Sequence, residues 1–153
     1  KHNASNGSYS TFASLGVPTG FEIASAPSAV DLDRPQAHVG ADALIVCVAT
    51  DKKVWSIRHS DTFGTSAWEN IGLETVNWTV PVTNQQVPYD MVPCSTVAAT
   101  RTDDGEVAIA YVPVYPTFPN GNPTAPAFPG VVTRLYNWNY GWGVHWTWHS
   151  TQP

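Results

Sequence analysis

Val54-Trp55-Ser56-Ile57-Arg58-His59, then a polar turn, then Ala67-Trp68-Glu69-Asn70-Ile71-Gly72 is the stretch whose reading decides the fold. It predicts two short strands, each with a Trp, joined by a tight turn. Alternation puts Val54, Ser56 and Arg58 on one face of the first strand and Trp55, Ile57 and His59 on the other. An echo of the second strand lies upstream as Phe12-Ala13-Ser14-Leu15-Gly16, itself read as a short strand. A looser echo of the whole unit lies downstream and ends in Tyr136-Asn137-Trp138-Asn139-Tyr140-Gly141-Trp142. Internal repetition outranks other fold signals, because each repeat is one supersecondary module that buries its apolar face on a neighbour.

Working outward, Ser28-Ala29-Val30-Asp31-Leu32 alternates and reads as a strand. Ala43 to Ala49 is continuously apolar, the pattern of a strand covered on both faces. Asp51-Lys52-Lys53 is a hairpin turn leading into the Trp55 strand. The second unit keeps this order. Ser95 to Thr100 matches the first strand, Glu106 to Val112 the buried one and Val131 to Tyr136 the Trp55 strand. Gly141-Trp142 is matched to the closing Trp68. Pro113 to Gly130, with six prolines, stands where the first unit has only a short turn. Residues 1–10 read as a polar, flexible tail and 11–153 as one domain. No sustained 3.6-residue period appears, so the class is all-β.

Composition supports that class and excludes several functions. Charged residues make up 12% of the 153-residue chain, well below the roughly 25% of average soluble proteins. Aromatics also make up 12%, with seven Trp. Few charges with many Trp, Thr, Val and Pro fit a secreted β protein. The net charge is −5, and the thinly spread Lys and Arg form no basic patch for phosphates. Nucleic acid and anionic membrane surfaces are therefore not expected partners. No apolar run reaches the roughly 18 residues of a spanning helix. Lys1-His2-Asn3-Ala4-Ser5 has no apolar core of a signal peptide, which predicts a chain that starts after processing or was trimmed. Asn3, Asn6 and Asn77 head N-x-[ST] sequons. Two of them in a Ser- and Asn-rich tail read as a glycosylated terminus, with an unmodified tail as the alternative. Cys47 and Cys94 are the only cysteines, and the even count predicts one disulfide, with two free thiols as the alternative. Such a bridge would contribute roughly 4 kcal/mol in the chain-entropy model.

The order strand, buried strand, Asp-containing turn, aromatic strand, then Trp-x-x-Ile-Gly resembles the β-propeller lectins, both the tectonin-like and the fucose-binding kinds. The residues that carry the resemblance are Ser28-Ala29-Val30, Leu44 to Val48, Asp51 to Trp55 and Trp68 to Gly72, and Asn137 to Trp142 is similar to the aromatic turn of the fucose-binding kind. It implies propeller-like blades of four antiparallel strands, about two per chain, over roughly 28–72 and 95–148. A β-sandwich or barrel is the alternative. The chain departs from the fucose-binding kind in having no Arg on Ile45-Val46-Cys47 or Ala108-Ile109-Ala110, and its Pro-rich loop has no counterpart in an ordinary blade. A propeller closes with about four to eight blades. The sequence therefore predicts a closed homo-oligomer, such as a trimer of two-blade units, or a fragment.

A sugar needs an aromatic surface for its C–H face and fixed polar groups for its hydroxyls. Trp55, Arg58, Trp68 and Glu69 meet that description in the first unit, with Asn70 beside them. Arg134, Trp138, Tyr140 and Trp142 meet it in the second. The competing reading of any one Trp is core packing. His145 and His149 share a strand face but lie roughly 13 Å apart, too far to hold one metal. Asp103-Asp104-Gly105 is a hairpin turn rather than a calcium loop. Among Asp31, Asp33, Glu69, Glu74 and Glu106 no spacing singles out a glycosidase pair. The expectation is a secreted, glycan-binding lectin without catalytic residues, metal or cofactor. A self-assembling structural protein and a small secreted hydrolase are the alternatives.

Overall fold

Alternating and continuous apolar segments become strands wherever the chain is placed in the computed structural model, which describes residues 2–3, 8–9, 14–32, 42–60, 64–79, 83–102, 104, 106–114, 130–137, 141–143 and 147–150. Within the segment read as a tail, β1 (His2–Asn3) pairs with β2 (Ser8–Tyr9). The first large sheet holds β3 (Ser28–Asp31), β4 (Asp42–Val48), β5 (Val54–Ser60), β6 (Gly64–Thr65) and β7 (Glu69–Gly72). Its strands β3, β4 and β5 pair in chain order, and both β6 and β7 pair with β5. A separate hairpin follows, β8 (Thr75–Thr79) with β9 (Gln86–Asp90). The second large sheet holds β10 (Ala98–Arg101), β11 (Val107–Tyr111), β12 (Gly130–Asn137), β13 (Gly141–Trp142) and β14 (Thr147–Ser150). Here β10, β11 and β12 pair in order, and both β13 and β14 pair with β12. The protein is thus all-β, with two blade-like antiparallel sheets of one plan. Among the described residues these sheets close into neither a barrel nor a propeller.

The repeat holds at the level of single hydrogen bonds. An Ile23–Ala49 bridge opens the first sheet and a Pro93–Pro113 bridge the second. Ala24 N donates to Val48 O (2.8 Å), and Cys94 N donates to Val112 O (2.9 Å). Ser66 N reaches Arg58 O as Gly143 N reaches Leu135 O, both at 2.8 Å. Val48 therefore corresponds to Val112 and Arg58 to Leu135. His59 pairs with Thr65 where Tyr136 pairs with Trp142. This corrects the expected match of Gly141-Trp142 with Trp68: the counterpart of Gly141-Trp142 is Gly64-Thr65. Both glycines hold the left-handed backbone of the same turn, φ 76° at Gly64 and 75° at Gly141. The true counterpart of β7 is β14, where Thr147 pairs with Thr133 as Glu69 pairs with Ser56. The upstream echo is a turn rather than a strand over Ser14–Gly16, while Phe12 and Ala13 lie outside the described residues. Gly16 and Gly72 both have φ 73°, and each donates its N–H to the side chain two residues earlier, Ser14 Oγ (3.1 Å) and Asn70 Oδ1 (2.8 Å).

The core lies between the large sheets. Leu44, Val46, Val48, Val54 and Ile71 from the first pack with Val107, Ile109, Tyr111, Val132 and Tyr136 from the second, and Met91 and Val97 fill in between. Ser28 Oγ accepts from Ala99 N (3.0 Å), tying the leading strands β3 and β10 together. The other side of β4 and β5 is covered as well at Cys47 and Ile57, which is why the Ala43–Ala49 run carries no polar alternation. The Asp51–Lys53 turn forms as expected, with Lys53 N bonded to Asp51 Oδ1 at 3.0 Å. The Pro-rich segment 115–129 lies outside the described residues. Ile109→Ala, a fully buried truncation, is expected to cost about 2–5 kcal/mol by urea denaturation. Leu135→Ala, at an exposed position, is expected to stay within about 0.5 kcal/mol of the parent protein.

Candidate functional site

Strand parity fixes which polar groups meet where the core gives out. Tyr136 and Arg134 are two residues apart on β12, so they share the face turned to the first sheet. The Gly141 turn folds β13 back so that Trp142 pairs with Tyr136. Their rings meet edge to face, 5.0 Å between centroids at 64°. From the facing sheet, Arg58 on β5 donates Nη1 to the Tyr136 hydroxyl at 3.1 Å. Arg134 crosses the other way, donating from Nη1 to the Ile71 carbonyl of β7 and from Nε to the Gly143 carbonyl at 2.8 Å. Its guanidinium stands 5.8 Å from the Trp142 ring centroid, a cation–π distance. Burial pulls the pKa of Arg134 below its ordinary value, and the carboxylate of Glu69 acts in the opposite sense. The result is an inter-sheet cluster of Arg58, Arg134, Tyr136 and Trp142, with the Glu69 carboxylate acting on Arg134.

Of the residues expected in a sugar site, four fall here: Arg58, Glu69, Arg134 and Trp142. Trp55 does not. It lies on the opposite face of β5 from Arg58, its Nε1 bonded to both carboxylate oxygens of Asp51 at 3.2 Å and its ring 5.6 Å from Phe21. Trp68 sits half-buried ahead of β7. Trp138 and Tyr140 lie outside the described residues. Among the described residues the indole N–H groups of Trp68 and Trp142 are buried without an acceptor, a cost of about 1–3 kcal/mol each. Tyr136 and the Ile71 carbonyl were not legible as site groups. The usable signal for Tyr136 was its spacing of two from Arg134.

The expected Cys47–Cys94 bridge is not formed, and both thiols are free. Cys47 is buried on β4 opposite Trp55, whereas the Cys94 backbone bonds to Val112 beside the second sheet. Burial, with a smaller push from Asp51, raises the Cys47 thiol to about 11. Of the sequon residues, Asn77 is exposed on β8, Asn3 lies in β1 and Asn6 is outside the described residues.

Neither protein-family models nor curated proteins nor solved structures match this chain. The site is therefore read from its own chemistry. A disulfide-specific thiol reagent at neutral pH is expected to titrate one thiol per native chain, that of Cys94, and two after unfolding. Two fast-reacting thiols in the native protein, or none, would contradict this placement.

Proposed function

We propose that the protein is a secreted carbohydrate-binding protein of the β-propeller lectin type, and that its glycan site is the cluster of Arg58, Glu69, Arg134, Tyr136 and Trp142. The observation that carries this reading is the meeting of Arg58 from one sheet with the Tyr136–Trp142 pair of the other. A pyranose ring offers an apolar C–H face to an indole and hydroxyls to charged donors and acceptors, whose hydrogen bonds are the stronger kind. Glu69 would accept from sugar hydroxyls, and Arg58 would donate to them. Arg134, tied by two backbone carbonyls, holds Trp142 in place from beneath. The resemblance to propeller lectins in Trp68 to Gly72 points the same way.

A glycan array followed by titration calorimetry tests the assignment. Trp142→Ala and Arg58→Ala are each expected to weaken binding at least about tenfold, or about 1.4 kcal/mol, with an unchanged circular dichroism spectrum. Trp55→Phe, on the far face, is expected to bind as the parent does. Retention of no glycan, or full affinity in Trp142→Ala, would sink the assignment.

A further inference from the structure

The segments that lead into the two large sheets border a shared cavity of about 630 Å³. That volume is in the usual range for small-molecule sites. Its position follows from the repeat. Ala24 and Cys94 stand at equivalent places, their N–H groups bonded to Val48 O and Val112 O. Further on, the leading strands are tied where Ala99 N donates to Ser28 Oγ. Ahead of that tie, residues 24–26 of one segment and 92–96 of the other line the cavity together. None of its lining residues belongs to the Arg58–Tyr136–Trp142 cluster.

Aliphatic side chains dominate the lining, among them Ala24, Ala26, Val48, Ala49, Val92 and Val114. Two of its hydroxyls are committed to the backbone: Ser25 Oγ accepts from Val48 N at 2.9 Å and Thr50 Oγ1 from Glu22 N at 3.2 Å. Among the described residues no aromatic ring lines the cavity, and Lys52 is the one charged group that does. Lys52 stands in the turn between β4 and β5 with a left-handed backbone, φ 64°, where glycine is the easier residue. The adjacent acid, Asp51, is bonded to the Trp55 indole and the Lys53 amide. Among the described residues the Lys52 ammonium forms no ion pair. In a chain of net charge −5, this places a lone cation at an aliphatic cavity.

We infer that the cavity binds a small amphiphilic anion, an aliphatic chain that ends in one carboxylate. The alanine and valine walls take the chain, and Lys52 takes the carboxylate. Apolar contact supplies most of the affinity, because an ion pair at an exposed lysine contributes little. The charge selects the sign of the head group. A sugar would find no indole here for its C–H face, so this is a second site with a different ligand class, and it does not rest on the carbohydrate reading.

Titration calorimetry on the full chain with octanoate, and with octylammonium as the chain-matched cation, tests the assignment. Octanoate is expected to bind at one per chain and octylammonium at least about threefold more weakly, the scale of an exposed charge interaction. Lys52→Gly suits the left-handed turn, so it is expected to fold at least as stably as the parent. It is expected to weaken octanoate about twofold to fivefold and to remove the preference over octylammonium. Ala26→Glu, at an exposed lining position, is expected to lose octanoate binding with an unchanged circular dichroism spectrum. The thiol of Cys94 reports on location, since Cys94 lines the cavity and is exposed while Cys47 is buried. Saturating octanoate is expected to slow alkylation of Cys94 by iodoacetamide. No octanoate binding at millimolar concentration, equal binding of octylammonium, full affinity in Ala26→Glu or an unchanged Cys94 alkylation rate would each overturn the proposal.

Discussion

Everything in this protein depends on one packed interface, the Leu44-Val46-Val48 row of β4 against the Val107-Ile109-Tyr111 row of β11. Among the described residues neither sheet has an element of its own to cover that face, and a solitary small sheet is marginal in water. Burying aliphatic side chains between two sheets is the main term that offsets the entropy of ordering their strands. With few charged residues in the chain, ion pairs contribute little to this balance. The relative position of the sheets is thus set by how these rows interlock. So is the distance between any groups that reach across.

The Arg58–Tyr136–Trp142 cluster is a by-product of that interlock. β5 and β12 carry core residues at one end, Val54 and Val132, and polar or aromatic groups further along on the same face, Arg58 and Tyr136. One ladder therefore holds both the packing and the polar cluster, so that the positions of Arg58 and Tyr136 are set by the same strands as the core. The second restraint is Arg134. Its bonds to the Ile71 and Gly143 carbonyls fasten β7 of one sheet and the turn after β13 to β12. Loosening that fastening would free Trp142 as well as the sheets.

The strands were legible because their pattern is local. Alternation in Val54–Ser60 and the apolar run Ala43–Ala49 fix which residues pair and which are covered. Three features were not. The β8–β9 hairpin escaped notice because Pro88 stands within β9 opposite Asn77, and a proline is a strong argument against a strand unless the strand is an edge. The match of Gly141-Trp142 with Trp68 followed residue identity, whereas the fold follows backbone conformation, pairing Gly141 with Gly64. The indoles could not be sorted into core and cluster from the sequence. Trp55 stands between Val54 and Ser56 and Trp142 between Gly141 and Gly143, and only the pairing of β13 with β12 brings the second of them to Tyr136 and Arg134.

The differences between the two modules say more about function than their likeness. A duplicated sheet needs only apolar rows to pack, and these agree in part: Val48 matches Val112, Val54 matches Val131 and Ile45 matches Ile109, whereas the fully buried Leu44 and Val46 correspond to Ala108 and Ala110. The polar positions diverge further: Arg58 faces Tyr136 and Trp142, and the counterparts of these three are Leu135, His59 and Thr65. Packing alone does not require the half-buried Arg134 guanidinium beside the Trp142 indole, since a desolvated charge is costly beside a well-packed aliphatic pair.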